Sequence, residues 1–390
     1  MEGLPEESEV AETPEERSAR SDWQARGHEY FGSAGLLLPG VAVAVGLAAM
    51  GSAAADWIGS AMFSGEATPV SPIMIAIISG LIIRNTVGVP AIYELGLSLC
   101  LKRVLRIGVA LLGIRLSLLA AGTTGLIALP IVVTCIAVAL ILVTQLSRII
   151  GLPPRLGTLI AVGTAICGNT AIVATGPVIN ADEDEVSYAV ACITLFGLFA
   201  LFAHPFIAHA LFPDSGQLAG LFLGAAIHDT AQVAGAGLLY AQLFGDATAL
   251  EVATVTKLVR NLFMVAVIPL MAAFYHKRDD RPGKTEKPPL SQLVPLFVFG
   301  FVAMALLRTV GELGDRPFGI LAPETWGSFI DFTSATSTFC LTIAMATVGL
   351  GTNLRRLQKL GLKPLVIGLV AASTVGVVSA LMISLLAPYV

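Results

Sequence analysis

The chain has 390 residues, 55% hydrophobic and only 13% charged, with a mean hydropathy of +0.83. Soluble proteins are about 25% charged, so the composition excludes a water-soluble globule, and it is too apolar for a disordered chain. The apolar runs are continuous rather than alternating, which excludes a β-barrel, and the formal net charge of −4 reflects one terminus more than any partner. An all-α polytopic membrane protein remains.

Residues 1–34 read as an acidic, disordered, cytoplasmic tail. Glu2, Glu6, Glu7, Glu9, Glu12, Glu15, Glu16, Asp22 and Glu29 outnumber Arg17, Arg20 and Arg26, and so polar a stretch buries too little apolar surface to fold alone. A basic segment followed by an apolar run and a cleavage site is missing, so it is not a signal peptide. Residues 35–390 form one transmembrane domain.

At roughly 20 residues per helix, that length accommodates about ten to twelve spans. Eleven apolar runs are expected to supply them, at about 35–57, 72–88, 99–120, 124–148, 156–179, 186–211, 218–240, 250–275, 290–310, 327–352 and 364–388. Basic residues mark the cytoplasmic loops: Lys102, Arg103 and Arg106; Arg148 and Arg155; Lys277, Arg278, Arg281, Lys284 and Lys287; Arg355, Arg356, Lys359 and Lys363. The acidic loop Asp182–Glu185 is then external, the N-terminus cytoplasmic and the C-terminus outside. Glu185 reads as a first-turn acid that complements its helix dipole.

Two internal resemblances bear on topology. Ala110-Leu-Leu-Gly-Ile-Arg-Leu-Ser-Leu118 echoes Ala346-Thr-Val-Gly-Leu-Gly-Thr-Asn-Leu354 on spans predicted to run oppositely, as in an inverted repeat. Asn169-Thr-Ala-Ile-Val-Ala174 echoes Asp229-Thr-Ala-Gln-Val-Ala234, yet the span count runs this pair in the same direction. Either one of them is re-entrant or the match reflects shared local chemistry.

The polar residues inside apolar runs are the candidate site. Cys167, Gly168, Asn169 and Thr170 interrupt the fifth run; His228, Asp229, Thr230 and Gln232 interrupt the seventh. Backbone unwound at that depth is tolerated only inside protein or along a watery cavity. Asn, Asp and Thr are suitable caps for the half-helix that follows a break, and such a break offers free N–H groups to an anion. The alternative is close helix packing through small residues, with Thr and Asn bonding between helices. Lys257, Arg260 and Asn261 share one face of the eighth run. Two intramembrane cations demand an acid, carbonyls, water or an anionic ligand, unless they snorkel to an interface. His228 and Asp229 are the proton-coupling candidates, and Arg115 is a further candidate for substrate contact. His204 and His209, beside Pro205 near a span end, are assigned to interfacial packing.

The five cysteines, Cys100, Cys135, Cys167, Cys192 and Cys340, lack metal-ligand spacing and read as small buried residues. Nucleotide, zinc-protease and serine-hydrolase signatures are absent, so neither a cofactor nor enzymatic activity is expected, and nothing suggests nucleic-acid binding. A secondary transporter, a channel or a sensor is left.

Four ordered motifs carry a family resemblance: Leu112-Gly-Ile-Arg-Leu-Ser117, Ile166-Cys-Gly-Asn-Thr-Ala-Ile172, Ile227-His-Asp-Thr-Ala-Gln-Val233 and Val255-Thr-Lys-Leu-Val-Arg260. Over residues 35–390 the sequence resembles the YeiH-like bacterial membrane proteins, described as sulfate exporters. The resemblance implies interrupted helices crossing near the midplane, in the inner membrane. It implies a small anionic substrate, with sulfate the named case; H+ coupling is expected from the intramembrane His228 and Asp229 themselves, and beyond the lipid bilayer a homodimer is left open as a partner. On this reading Lys257 and Arg260 supply positive charge, Asn169, Thr170 and Thr230 supply hydrogen bonds, and Asp229 with His228 couples protonation to movement. The competing reading is a cation/proton antiporter with Asp229 as the exchanging carboxylate.

Overall fold

The computed structural model describes residues 14–62, 71–276, 296–313, 316–354 and 361–389. The basic residues of 277–287 and 355–359 lie outside the described residues. All described regular structure is helical: α1 (Pro14–Met62), α2 (Pro72–Thr86), α3 (Ala91–Leu99), α4 (Leu105–Leu112), α5 (Leu118–Ile150), α6 (Pro154–Ala165), α7 (Asn169–Thr175), α8 (Glu183–Leu211), α9 (Gly216–Ala226), α10 (Thr230–Phe244), α11 (Thr248–Leu262), α12 (Met264–His276), α13 (Leu296–Gly311), α14 (Pro323–Gly351) and α15 (Leu362–Leu386). A π-helical turn, Cys100–Val104, joins α3 to α4. Among the described residues six helices are long and apolar enough to cross a membrane, which establishes a multi-pass membrane protein.

Among the described residues each expected apolar run coincides with helix, but several expectations change. α1 is helical from Pro14, inside the segment expected as the tail, and proline at the first helical position suits that start. The third run begins at Ala91, ahead of the expected 99, because the π-turn carries the helix through Lys102 and Arg103.

The larger change concerns the fifth and seventh runs. α6 starts at one end of the molecule, where Tyr275 Oη lies 2.9 Å from the Pro154 carbonyl and 2.7 Å from Thr158 Oγ1. α8 starts at the same end, where Cys192 Sγ donates to the Pro364 carbonyl at 3.3 Å. The chain between them therefore enters as α6 and returns as α7. α8 then runs to the opposite end, where the His209 ring stacks on Phe244 at 3.9 Å.

At that opposite end Gly216 packs directly on Asp246. α9 descends beside α11 in the same direction, with Gly220 against Ala249 and Val252, and Gly224 against Ala253 and Thr256. α10 climbs back, with Gly237 against Leu250. Neither entering arm could span a bilayer: α6 has 12 residues and α9 has 11, about 18 Å of helix each against about 30 Å of hydrocarbon. Both runs are re-entrant hairpins, entering from opposite ends. The acidic loop Asp182–Glu185 consequently lies at the end that holds Arg155 and Lys363, not across from it. Its acids serve the expected helix start, for the Asp182 amide donates to Glu185 Oε2 at 3.1 Å.

The helices form two bundles. α1, α2, α3–α4, α13 and α14 pack on one another; α5 through α12 and α15 form the other, with both hairpins inside it. The boundary is made by α10 against α14 and α2, and by α13 against α5. At its centre Gly235 of α10 accommodates Met345 of α14.

Candidate functional site

The hairpin tips meet at mid-depth. After Ala165 the chain leaves helical geometry at Ile166 (φ −120°, ψ −98°) and turns at Gly168 (φ 64°, ψ −125°). That positive φ is strained for a residue with a Cβ, and a Cβ there would also come within 3.3 Å of Asp229. The second tip is extended at Ile227 and Asp229 before α10 resumes at Thr230. Asp229 caps that restart, its Oδ1 accepting from the Ala231 amide at 2.8 Å. The α7 restart has no side-chain cap.

Both entering arms end with carbonyls that have no intrahelical partner, and the two cations of α11 take them. Lys257 Nζ donates to the carbonyls of Ile166 (2.8 Å), Ile227 (3.0 Å) and His228. Arg260 donates from Nε to Ala165 (2.7 Å), from Nη1 to Ala225 (2.7 Å) and Ile227 (3.1 Å), and from Nη2 to Thr164. Both side chains are fully buried. An ammonium has three N–H donors and a guanidinium five, so Lys257 has none to spare and Arg260 has one. The sequence reading placed these cations in contact with an anion. The structure instead makes them caps on two converging negative helix ends, the carbonyl option for a buried cation.

The remaining candidates divide between the tips and elsewhere. Asn169 Nδ2 donates to Thr194 Oγ1 at 3.1 Å, and Asn261 Nδ2 to Thr230 Oγ1 at 3.2 Å. Asn169, Asp229 and Thr230 are half-buried, whereas Thr170 is exposed. His228 is fully buried, and neither ring nitrogen has a hydrogen-bond partner. Asn261 Oδ1 and Gln232 Oε1 are also buried and unpartnered, Gln232 lying on Gly197 of α8. Cys167 Sγ contacts Met264 Sδ at 3.1 Å and lines the first tip from behind. Arg115 is not at the tips: its Nη2 donates to the Ser334 carbonyl (3.3 Å) and to Thr338 Oγ1 (2.9 Å) on α14. Thr194 and Met264 complete the tip environment and were not singled out in the sequence, where a threonine or methionine in an apolar helix carries no distinguishing signal. Among the described residues no group of three metal-ligating side chains occurs.

These features define a polytopic helical membrane protein with two opposed re-entrant hairpins and a buried polar centre. The family model described as "Conserved hypothetical protein 698" matches residues 41–368. Curated relatives are UPF0324 membrane proteins. The one from Fusobacterium nucleatum is 31% identical over 80% of this chain and 88% of its own, and the one from Agrobacterium fabrum is 31% identical over 79% and 82%. A Corynebacterium glutamicum relative is 32% identical over 85% and 86%. The chain belongs to the UPF0324 family, the YeiH-like family that its motifs indicated. No solved structure matches it.

Proposed function

We propose that this protein is a secondary transporter of a small anion, with sulfate as the first substrate to test. One observation carries the reading: two hairpins from opposite ends bring their broken tips together at a buried polar centre inside one bundle, with α10 facing the other. Movement of one bundle against the other would expose that centre alternately to the two sides. The opposed entry of two similar motifs also supports reading the hairpins as an inverted repeat. Direct substrate contacts are assigned to Asn169, Thr170, Thr230 and the uncapped start of α7, and Lys257 and Arg260 keep the centre from being negative. The Arg148, Arg155 and Lys363 end is assigned to the cytoplasm of a bacterial inner membrane, with the N-terminus inside.

Sulfate counterflow in proteoliposomes, with competing anions, tests the reading. Saturable counterflow weakened in Asn169→Ala and Thr230→Val is the expected result; no counterflow of any anion in folded wild type rejects it. A cation/proton antiporter is the second reading, favoured by the full engagement of Lys257 and by a half-buried Asp229 that forms no ion pair among the described residues. It predicts proton release on adding Na+ or K+ and indifference to sulfate.

A further inference from the structure

The tips carry their own anion. Asp229 caps α10 through the Ala231 amide, and it lies so close to Gly168 that a Cβ there would meet its Oδ2 at 3.3 Å. The carboxylate therefore occupies the ground between the two returning arms, where a substrate anion would seek N–H groups. Of the ionisable groups around it, Lys257 of α11 and Cys167 of the other tip act on it directly; His228 precedes it in the same hairpin, and Arg260 and His204 lie towards His228. Helix ends carry roughly half an elementary charge each. With two negative ends from α6 and α9, the positive ends of α7 and α10, two cations and one carboxylate, the centre carries about one net positive charge. Removing the carboxylate's charge leaves an excess of more than one positive charge.

A second observation points to a ligand at this place. Asn261 is 1% exposed, one end of its amide is bonded to Thr230 at the start of α10, and the other end has no partner. A buried polar atom left unsatisfied costs about 1–3 kcal/mol, and this one is the amide oxygen Oδ1, an acceptor, so the occupant it favours is a proton donor or a cation beside Asp229 and not the anion itself.

Resting on the anion-transporter reading, we infer that the carboxylate charge of Asp229 and the substrate anion exclude one another, so that the anion binds only when one monovalent cation, a proton or a sodium ion, neutralises Asp229. Anion and cation then share one occupied state and cross together. Coupling is symport, opposite to export by exchange: an inward cation concentration gradient favours entry of the anion, and with sulfate, a dianion, each cycle carries one net negative charge, so an inside-negative potential opposes it. No covalent step is involved; the cation associates with the carboxylate on loading and leaves it on release.

The test uses full-length protein in liposomes with radiolabelled sulfate, over a pH series, in sodium or choline buffer, beside Asp229→Asn. Asparagine is itself a good helix cap, so the variant keeps the α10 start. If the proton is the cation, apparent sulfate affinity in wild type falls by about tenfold per pH unit once Asp229 is ionised, and sulfate entry acidifies the lumen. If sodium is, affinity rises with sodium and labelled sodium enters with sulfate. In either case Asp229→Asn loses the dependence. Wild-type exchange that ignores pH and sodium overturns the inference while sparing the transporter reading, and so does a cation moving against sulfate. Wild type that exchanges no anion under any condition removes both.

Discussion

The two hairpins share a six-residue motif and a tip-to-tip position, yet they do different work. The α9–α10 tip supplies charge, placing Asp229 on the start of α10 and His228 behind it. The α6–α7 tip supplies room: Gly168 takes a backbone conformation that side chains resist and leaves space for that same Asp229. What they share is the need of each entering arm for an external donor set, and both use α11. Similar sequence here marks a common backbone solution, a helix broken before Asn/Asp-Thr-Ala, while the one or two residues before the restart set the chemistry.

The comparison can be broken most severely at α11. Arg260→Met should leave the carbonyls of Thr164, Ala165 and Ala225 without this donor, and Lys257→Met those of Ile166 and His228, while Ile227 keeps one of its two donors in either variant. Breaking a buried charge interaction by removing one partner costs about 3–5 kcal/mol, so both variants should fail to reach the folded state or melt far below wild type in a detergent thermal-shift assay. Arg260→Lys should rescue little, because an ammonium cannot span both arms. Melting within a degree or so of wild type would show that the carbonyl cap is dispensable.

Gly168→Ala should cost about 1–3 kcal/mol, the range for a residue forced into a sparsely populated backbone region, and should disturb transport by crowding Asp229. Alanine at Gly176, whose φ is ordinary, tests local crowding against Val186 instead and serves as the comparison. Equal melting of the two variants would argue against backbone strain at the first tip. Asn261→Ala should have the smallest effect on stability, about 1 kcal/mol from one lost hydrogen bond, and should show mainly as weakened sulfate counterflow.

Much of this was legible in the sequence. Composition gave the fold class, the apolar runs gave the helical segments, and polar residues within them located both tips and the α11 face. Two things were not legible. Helix direction was inferred from loop charge, and a run interrupted at its middle looks like a crossing span unless one knows where the chain re-emerges; the acids Asp182–Glu185 then suggested the wrong end, when they serve the start of α8. The partners of Lys257 and Arg260 were also hidden, because backbone carbonyls have no signature in the sequence. Side-chain charge alone made an anion the natural partner, whereas two helix ends already supply the acceptors.

The account stands on the hairpins being re-entrant from opposite ends, and the most direct check is sidedness. With the five native cysteines replaced, single cysteines at Glu183, Lys363 and Asp214 would be labelled with a membrane-impermeant thiol reagent in right-side-out and inverted vesicles. All three positions are exposed. Labelling of Glu183→Cys and Lys363→Cys from one side and of Asp214→Cys from the other is the result this fold predicts. Glu183→Cys and Lys363→Cys reacting from opposite sides would mean that the α6–α7 segment crosses the membrane, and would contradict it.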